Sequence, residues 1–253
     1  ALDQAIQDIQ SGWLDGLVTA PIHKQSMQMA GFNYAGHTDY LAEKLNCSEY
    51  MMMMAGNNIK VGLVTTHIPL QAVPSKITIP KIKSAIQILH ASMQKDFGID
   101  RPLIAVLGLN PHAGDGGVIG QEEQLFIIPA IEELKQQGMM IYGPFSADGF
   151  FGSSQFKKFD AILAMYHDQG LIPFKALEFE NGVNFTAGLP VVRTSPDHGT
   201  AFDIAGKNEA DPTSFRSALF GAIEIARQRK KYAEDRANPL NKHQKQSEEK
   251  VEG

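Results

Sequence analysis

The sequence predicts an α/β fold in which a largely parallel sheet is covered by helices. Three observations predict it. Short continuous apolar runs, such as residues 103–109 and 161–165, have the pattern of strands buried on both faces. Longer stretches with apolar residues at helical spacing alternate with these runs. A glycine-rich turn over 110–120 joins one strand directly to the next helix.

The elements follow in order. Ala5, Ile6 and Ile9 sit at helical spacing, and Gly12 or Gly16 ends that helix before a strand begins at Leu17. Pro21 closes the strand, and the loop after it carries His23 and Lys24 as candidate polar groups into a second helical segment. After Gly36, residues 37–45 form a helix with Thr38 or Asp39 available as its cap, and its N-terminus is suited to an anion. Residues 51–55 and 61–66 are two strands joined by Gly56-Asn57-Asn58, turn chemistry suited to a hairpin. The four methionines 51–54 are read as core filling rather than as thioether ligands. A long amphipathic helix spans 79–97, with Ile82, Ile86, Leu89 and Met93 on one face and Gly98 as its stop.

The strand 103–109 leads through the glycine-rich turn to a helix that begins near Glu122. Leu125, Ile128, Ile131 and Leu134 carry that helix's apolar face past a kink at Pro129. Asp115, Glu122 and Glu123 are most simply a polar turn and an acidic first helical turn. Strands at 139–142 and 161–165 and a last helix over 215–232 complete the pattern. The tail from 238 to 253 is polar, and disorder is expected there.

Composition excludes several function classes. The 253 residues are 43% apolar and 20% charged, ordinary for a chain with a real core. A net charge of −5 without a long basic block argues against a nucleic-acid partner. The single cysteine allows no intramolecular disulfide, and no stretch resembles a signal peptide or a membrane span. A cytoplasmic protein acting on small molecules is expected.

The chemistry concentrates in residues 160–206. There an apolar strand delivers His167 and Asp168 to its C-terminal end, where ligands bind in open α/β sheets. Lys175, Arg193 and a glycine-containing loop follow. His67 and His112 have the same placement as His167, each just past an apolar strand. Three imidazoles so placed can converge on one divalent ion and leave a coordination position open, whereas any one alone is as often structural. Asp168 is suited to orienting an imidazole or moving a proton, and Asp148 to that work or to capping a helix.

Gly36-His37-Thr38, Asn110-Pro111-His112-Ala113-Gly114, Tyr166-His167-Asp168-Gln169-Gly170 and Thr194-Ser195-Pro196-Asp197-His198-Gly199-Thr200-Ala201 together resemble the 4-hydroxythreonine-4-phosphate dehydrogenase family. The resemblance runs from about Asp15 to the last helix. It implies a three-layer α/β/α fold like that of isocitrate and isopropylmalate dehydrogenases, with two subdomains around a cleft. Residues 1–30 and 184–237 would form the cofactor side. Residues 31–183 would carry substrate, metal and dimerisation functions. It implies His67, His112 and His167 as metal ligands, with Zn, Mg or Co as the ion, and His37, Thr38, Lys175, Asn184 and Arg193 as substrate contacts. Asp197, His198, Gly199 and Asp203 are similar to the loop that receives the adenosine half of NAD or NADP in the related decarboxylating dehydrogenases. It also implies a small phosphorylated amino-acid substrate and a homodimer with its site at the subunit interface. The strand and the glycine- and proline-containing loop with which family members open have no counterpart in these residues; a molecule without them would be short of strands on its cofactor side. Three other readings stay open: a dehydrogenase for erythronate or threonate 4-phosphate, a metal-dependent hydrolase or acyl-phosphate transferase, and a metal- and phosphate-binding subunit without catalysis.

Overall fold

The structure, a computed structural model, describes residues 1–34, 36–179 and 181–238; the tail expected to be disordered lies, except for Asn238, outside them. The chain opens with α1 (Leu2–Gln10), β1 (Gly16–Val18), α2 (Lys24–Met29) and α3 (His37–Lys44). The hairpin β2 (Met51–Ala55) and β3 (Lys60–Leu63) follows, then α4 (Val73–Lys76), α5 (Ile79–Lys95) and β4 (Leu103–Leu107). Next come α6 (Ile128–Gln136), β5 (Met140–Phe145), α7 (Ala147–Gly152) and β6 (Ala161–Ala164). The chain continues through α8 (His167–Glu178), β7 (Val183–Ala187) and β8 (Val192–Pro196) to α9 (Thr213–Ala237).

All eight strands join one sheet in the order β1-β8-β7-β2-β3-β6-β4-β5. The pairings β1/β8, β3/β6, β4/β6 and β4/β5 are parallel. The centre departs from the largely parallel expectation, because β2 pairs antiparallel with both β3 and β7, and β7 pairs antiparallel with β8. The tight turn at Gly56, whose N–H bonds Ile59 O at 2.9 Å, makes the first of these a hairpin.

The apolar runs are buried on both faces because helices cover both. On β6, Ala161 and Leu163 pack toward α5 and α6, while Ile162 and Ala164 pack toward Leu171 and Phe174 of α8. On β4, Ile104 and Val106 face the first layer and Ala105 and Leu107 the second. The methionine strand is core, as expected: Met51 and Met53 fill the first layer, and Met54 the second. Ile82, Ile86, Leu89 and Met93 of α5 are all buried, and Gly98 supplies the left-handed φ of +71° that ends the segment. The result is a three-layer α/β/α arrangement.

Two local readings need correction. α3 begins at His37 with Gly36 as its cap residue, so Thr38 and Asp39 lie inside the first turn and no side chain caps it. Before α6 the backbone forms a π-helix, Glu123–Ile127. Glu123 and Ile127 point inward at the same i, i+4 spacing that continues to Ile131, while Leu125, expected on the apolar face, is 54% exposed. Pro129 falls in the first turn of α6, directly after the π-helical segment, where its missing N–H is tolerated.

Candidate active site

A cleft of about 1080 Å³ opens beside the β1-β8-β7-β2-β3 half of the sheet. It gathers most of the predicted residues from separate elements. His37 and Thr38 come from the first turn of α3, His67 from the loop after β3, and His167 and Lys175 from α8. Asn184 stands on β7 and Arg193 on β8, with Asp197, His198 and Gly199 just beyond. Lys24, one of the two early candidates, also lines it; His23 instead caps α2, its ring nitrogen accepting from Ser26 N at 3.3 Å.

His67 and His167 meet because β3 and β6 are parallel neighbours and keep bonding past their ends. Val64 N–H donates to Ala164 O at 2.9 Å, and Thr65 N–H to Met165 O at 3.2 Å. The Thr65 hydroxyl donates to the same Met165 carbonyl at 2.8 Å. The next two residues of each segment therefore run side by side, and the two imidazole centroids are 5.6 Å apart. A metal–nitrogen bond of about 2.0 Å puts each ring centroid roughly 3 Å from the ion, so tetrahedral ligands stand roughly 5 Å apart. The two rings fit as a pair of ligands to one divalent ion. Asp168 Oδ1 lies 2.7 Å from His167 Nδ1, which leaves Nε2 as the ligating nitrogen. Burial, with Lys24 and His167 nearby, holds the His67 pKa below the usual imidazole value despite Asp39. It therefore stays neutral and able to bind metal near pH 7.

His112 does not join them within one chain. Among the described residues there is no group of three side chains able to hold a metal. His112 lies in the turn Pro111–Gly117, exposed, and within electrostatic reach of Asp148. Asp148 is held below the ordinary carboxylate range first by the Ser146 hydroxyl, 2.5 Å away, then by the Gly149 backbone, with a smaller share from His112. The turn itself is unusual. His112, Ala113, Gly114, Asp115 and Gly116 all have positive φ, from 43° to 80°. A left-handed conformation costs an L-residue about 1–2 kcal/mol, and three of these five carry side chains.

Arg193 is the strongest electrostatic feature. It is 6% exposed, and its guanidinium meets only hydroxyls: Thr19 at 2.7 and 3.1 Å, and Thr38 and Thr186 at 3.4 Å. No carboxylate pairs with it among the described residues, and burial pushes its pKa down to about 10. It remains charged at pH 7, at the N-terminal turn of α3 and beside His37. Burial and then Arg193 keep the His37 pKa low. A buried cation, an uncapped helix N-terminus and a threonine hydroxyl form an anion pocket. Lys175 also lines the cleft, in an ion pair with Asp197 at 3.1 Å that links a predicted substrate contact to a predicted cofactor contact. Asp203 sits in the short helical turn Phe202–Ile204 and does not line the cleft. Sequence reasoning missed Thr19 and Thr186, which hold the guanidinium; nothing separates them from ordinary strand threonines until β1, β7 and β8 are known to be neighbours.

A second hollow of about 310 Å³ adjoins the first, lined by Thr66, His67, Ile68, Tyr166, His167 and Asp168 among others. The two imidazoles thus stand between two cavities. Comparison with known proteins shows the family of the chain. The family model described as pyridoxal phosphate biosynthetic protein PdxA matches residues 1–222. A 4-hydroxythreonine-4-phosphate dehydrogenase of Bacteroides thetaiotaomicron is 53% identical over 243 residues, covering 96% of this chain and 67% of the relative. One from Sulfurihydrogenibium is 52% identical over 229 residues, covering 90% of this chain and 70% of the relative. The crystal structure of the Klebsiella pneumoniae 4-hydroxythreonine-4-phosphate dehydrogenase superposes with a TM-score of 0.80 at 38% identity, over 89% of this chain and 69% of that one. With a model match across most of its length and relatives at this identity, the chain belongs to the PdxA family of pyridoxal phosphate biosynthetic proteins.

Proposed function

We propose that the protein oxidises 4-phosphohydroxy-L-threonine with NAD or NADP, in a divalent-metal-dependent reaction within pyridoxal 5'-phosphate biosynthesis. The product, 2-amino-3-oxo-4-phosphooxybutanoate, is a β-keto acid and loses CO₂ to give 3-amino-2-oxopropyl phosphate. One observation carries this reading: a pair of adjacent imidazoles and a buried guanidinium with no carboxylate partner among the described residues share a single cleft, one suited to a metal and the other to a remote anion.

Each residue then has a role that follows from its setting. Arg193, with Thr38, His37 and the first turn of α3, binds the phosphate or carboxylate and fixes the substrate's orientation. Lys175 and Asn184, which line the same cleft, contact it as well. His67, His112 and His167 hold the ion, which supplies Lewis acidity at the secondary hydroxyl. Asp168 keeps His167 in the ligating tautomer, and Asp148 is placed to do the same for His112. Asp197, His198 and Gly199, with Asp203 beyond the cleft lining, would form the dinucleotide side, where a bound nicotinamide would supply the hydride acceptor. Residues 1–30 and 184–237 make up this cofactor side, and 31–183 the substrate and metal side. Of Zn, Mg and Co, the imidazole set suits Zn or Co, whereas Mg prefers oxygen ligands.

Because His112 stands apart from the other two histidines, we infer a homodimer in which the partner supplies this ligand through the second hollow. Its support is an apolar surface near the His112 turn: Val118 is 83% exposed, and Ile119, Leu125 and Tyr142 are also exposed. A cytoplasmic location fits the single cysteine, and no described helix is long and apolar enough to cross a membrane. The test is nicotinamide reduction, followed by absorbance, with 4-phosphohydroxythreonine and added metal. Turnover that chelation abolishes is expected. Equal turnover of erythronate or threonate 4-phosphate would reassign the substrate, and no reduction with any of them would overturn the dehydrogenase reading.

A further inference from the structure

We propose that Glu123 is a positioning residue whose buried carboxylate holds the base of the left-handed turn and so aims the His112 ring. The proposal rests on the reading of His112 as a metal ligand. Glu123 is fully buried and has no cationic partner among the described residues. A buried carboxylate without a cation persists only where several donors satisfy it. Here Oε1 accepts from the backbone N–H groups of Leu109 and Asn110, both at 2.7 Å, and Oε2 accepts from Asn110 Nδ2 at 2.9 Å. These donors lie two and three residues before His112.

The packing around the carboxylate is independent support. A Cβ built on Gly114 would lie 2.6 Å from Glu123 Oε2, and one on Gly108 would lie 3.1 Å from Oε1 and 2.9 Å from the Ala113 Cα. The turn's backbone is therefore seated directly on the carboxylate, which only glycine permits at both places. Glu123 lies four residues before Ile127 and eight before Ile131, on the same buried helical face, which places its side chain inward at this point. Gln169 anchors the same loop from the other side: its Nε2 donates to Gly108 O at 2.6 Å while its Oε1 accepts from Met165 N at 2.7 Å. A run of left-handed residues has little intrinsic preference for its conformation, so these contacts set the direction in which His112 projects.

The test measures Co²⁺ affinity of the purified protein by titration, in samples of matched oligomeric state, with hydrogen exchange of residues 103–120 as a second readout. Glu123→Ala should weaken Co²⁺ binding about tenfold or more, the scale seen for groups that support ligands from behind. It should also speed exchange at Leu109 and Asn110. Glu123→Gln, which keeps one acceptor oxygen, should weaken binding about threefold or more by the same principle, and it decides the matter if Glu123→Ala does not fold. His112→Ala is the reference. If His112→Ala loses affinity while the folded Glu123 variants bind Co²⁺ as tightly as wild type, Glu123 is merely structural and the proposal is overturned. If His112→Ala itself binds Co²⁺ normally, the ligand reading fails instead.

Discussion

A buried arginine that meets only threonine hydroxyls is costly to fold, since desolvating a guanidinium is repaid here by neutral hydrogen bonds alone. Such a residue is explained by binding rather than by stability. Arg193→Met should therefore separate the two. KM for the phosphorylated substrate should rise about ten- to a hundredfold, the effect of losing a charge-assisted hydrogen bond worth about 1.5–3 kcal/mol. The kcat should change far less, and Tm should stay level or rise. A fall in Tm with unchanged KM would make Arg193 a structural residue. Histidines make a second prediction at this scale. His37, His67 and His90 are all held below the ordinary imidazole pKa of 6.5, each first by burial. The unfolded chain then binds more protons than the folded one as pH falls through 6.5. Stability present above that pH is lost below it, down to the folded values. His90 lies on α5 outside the cleft and is shifted by burial alone, so His90→Gln should reduce the loss of Tm between about pH 7.5 and pH 5.5. Equal losses in both proteins would remove His90 from the account.

At the scale of elements, the long helices α5 and α9 are joined by one buried ion pair. Arg229 Nε donates to Asp96 Oδ1 at 2.6 Å, while its Nη1 reaches the carbonyls of Leu189 and Pro190 at 3.1 and 3.2 Å. Ser92 donates to the other Asp96 oxygen at 2.7 Å. Removing one partner strands the other, so Arg229→Ala should cost about 3 kcal/mol in urea unfolding. A loss below about 1 kcal/mol would mean that water replaces the guanidinium there. Asp96 and Arg229 are 133 residues apart, and nothing in their local sequence announces the pair. The elements themselves were legible where a local pattern decides them. β4 and β6 read as doubly buried strands, α5 reads from its apolar face, and the hairpin reads from Gly56-Asn57-Asn58. Strand direction was not, because β2 finds β7 through contacts such as Met51 with Ala187, far apart in the chain. Nor was the burial of Glu123: it has the composition of an exposed first turn, although it shares the helical face of Ile127 and Ile131. The same limit applies to the site. Each of His67 and His167 could be placed at a strand end, but their proximity depends on β3 and β6 being neighbours.

At the scale of the whole molecule, the separation of His112 from the other two imidazoles makes subunit composition a test of mechanism. In a dimer with twofold symmetry, each site would take His67 and His167 from one chain and His112 from its partner. A heterodimer of one His112→Ala chain and one His167→Ala chain then contains one site with all three ligands intact and one with two of them lost. Purified heterodimers, made by coexpression with two different tags, should show about half the wild-type kcat per dimer while each parent homodimer is inactive. If His112 instead swings onto the ion of its own chain, both sites of the heterodimer lack one ligand and activity stays at the parental level. The two arrangements also differ on dilution: ligands shared across an interface bind metal more weakly once the dimer dissociates, whereas ligands from one chain do not. Restored activity that falls away with protein concentration, while heterodimer re-formation recovers it, is the outcome expected of a site shared between two subunits.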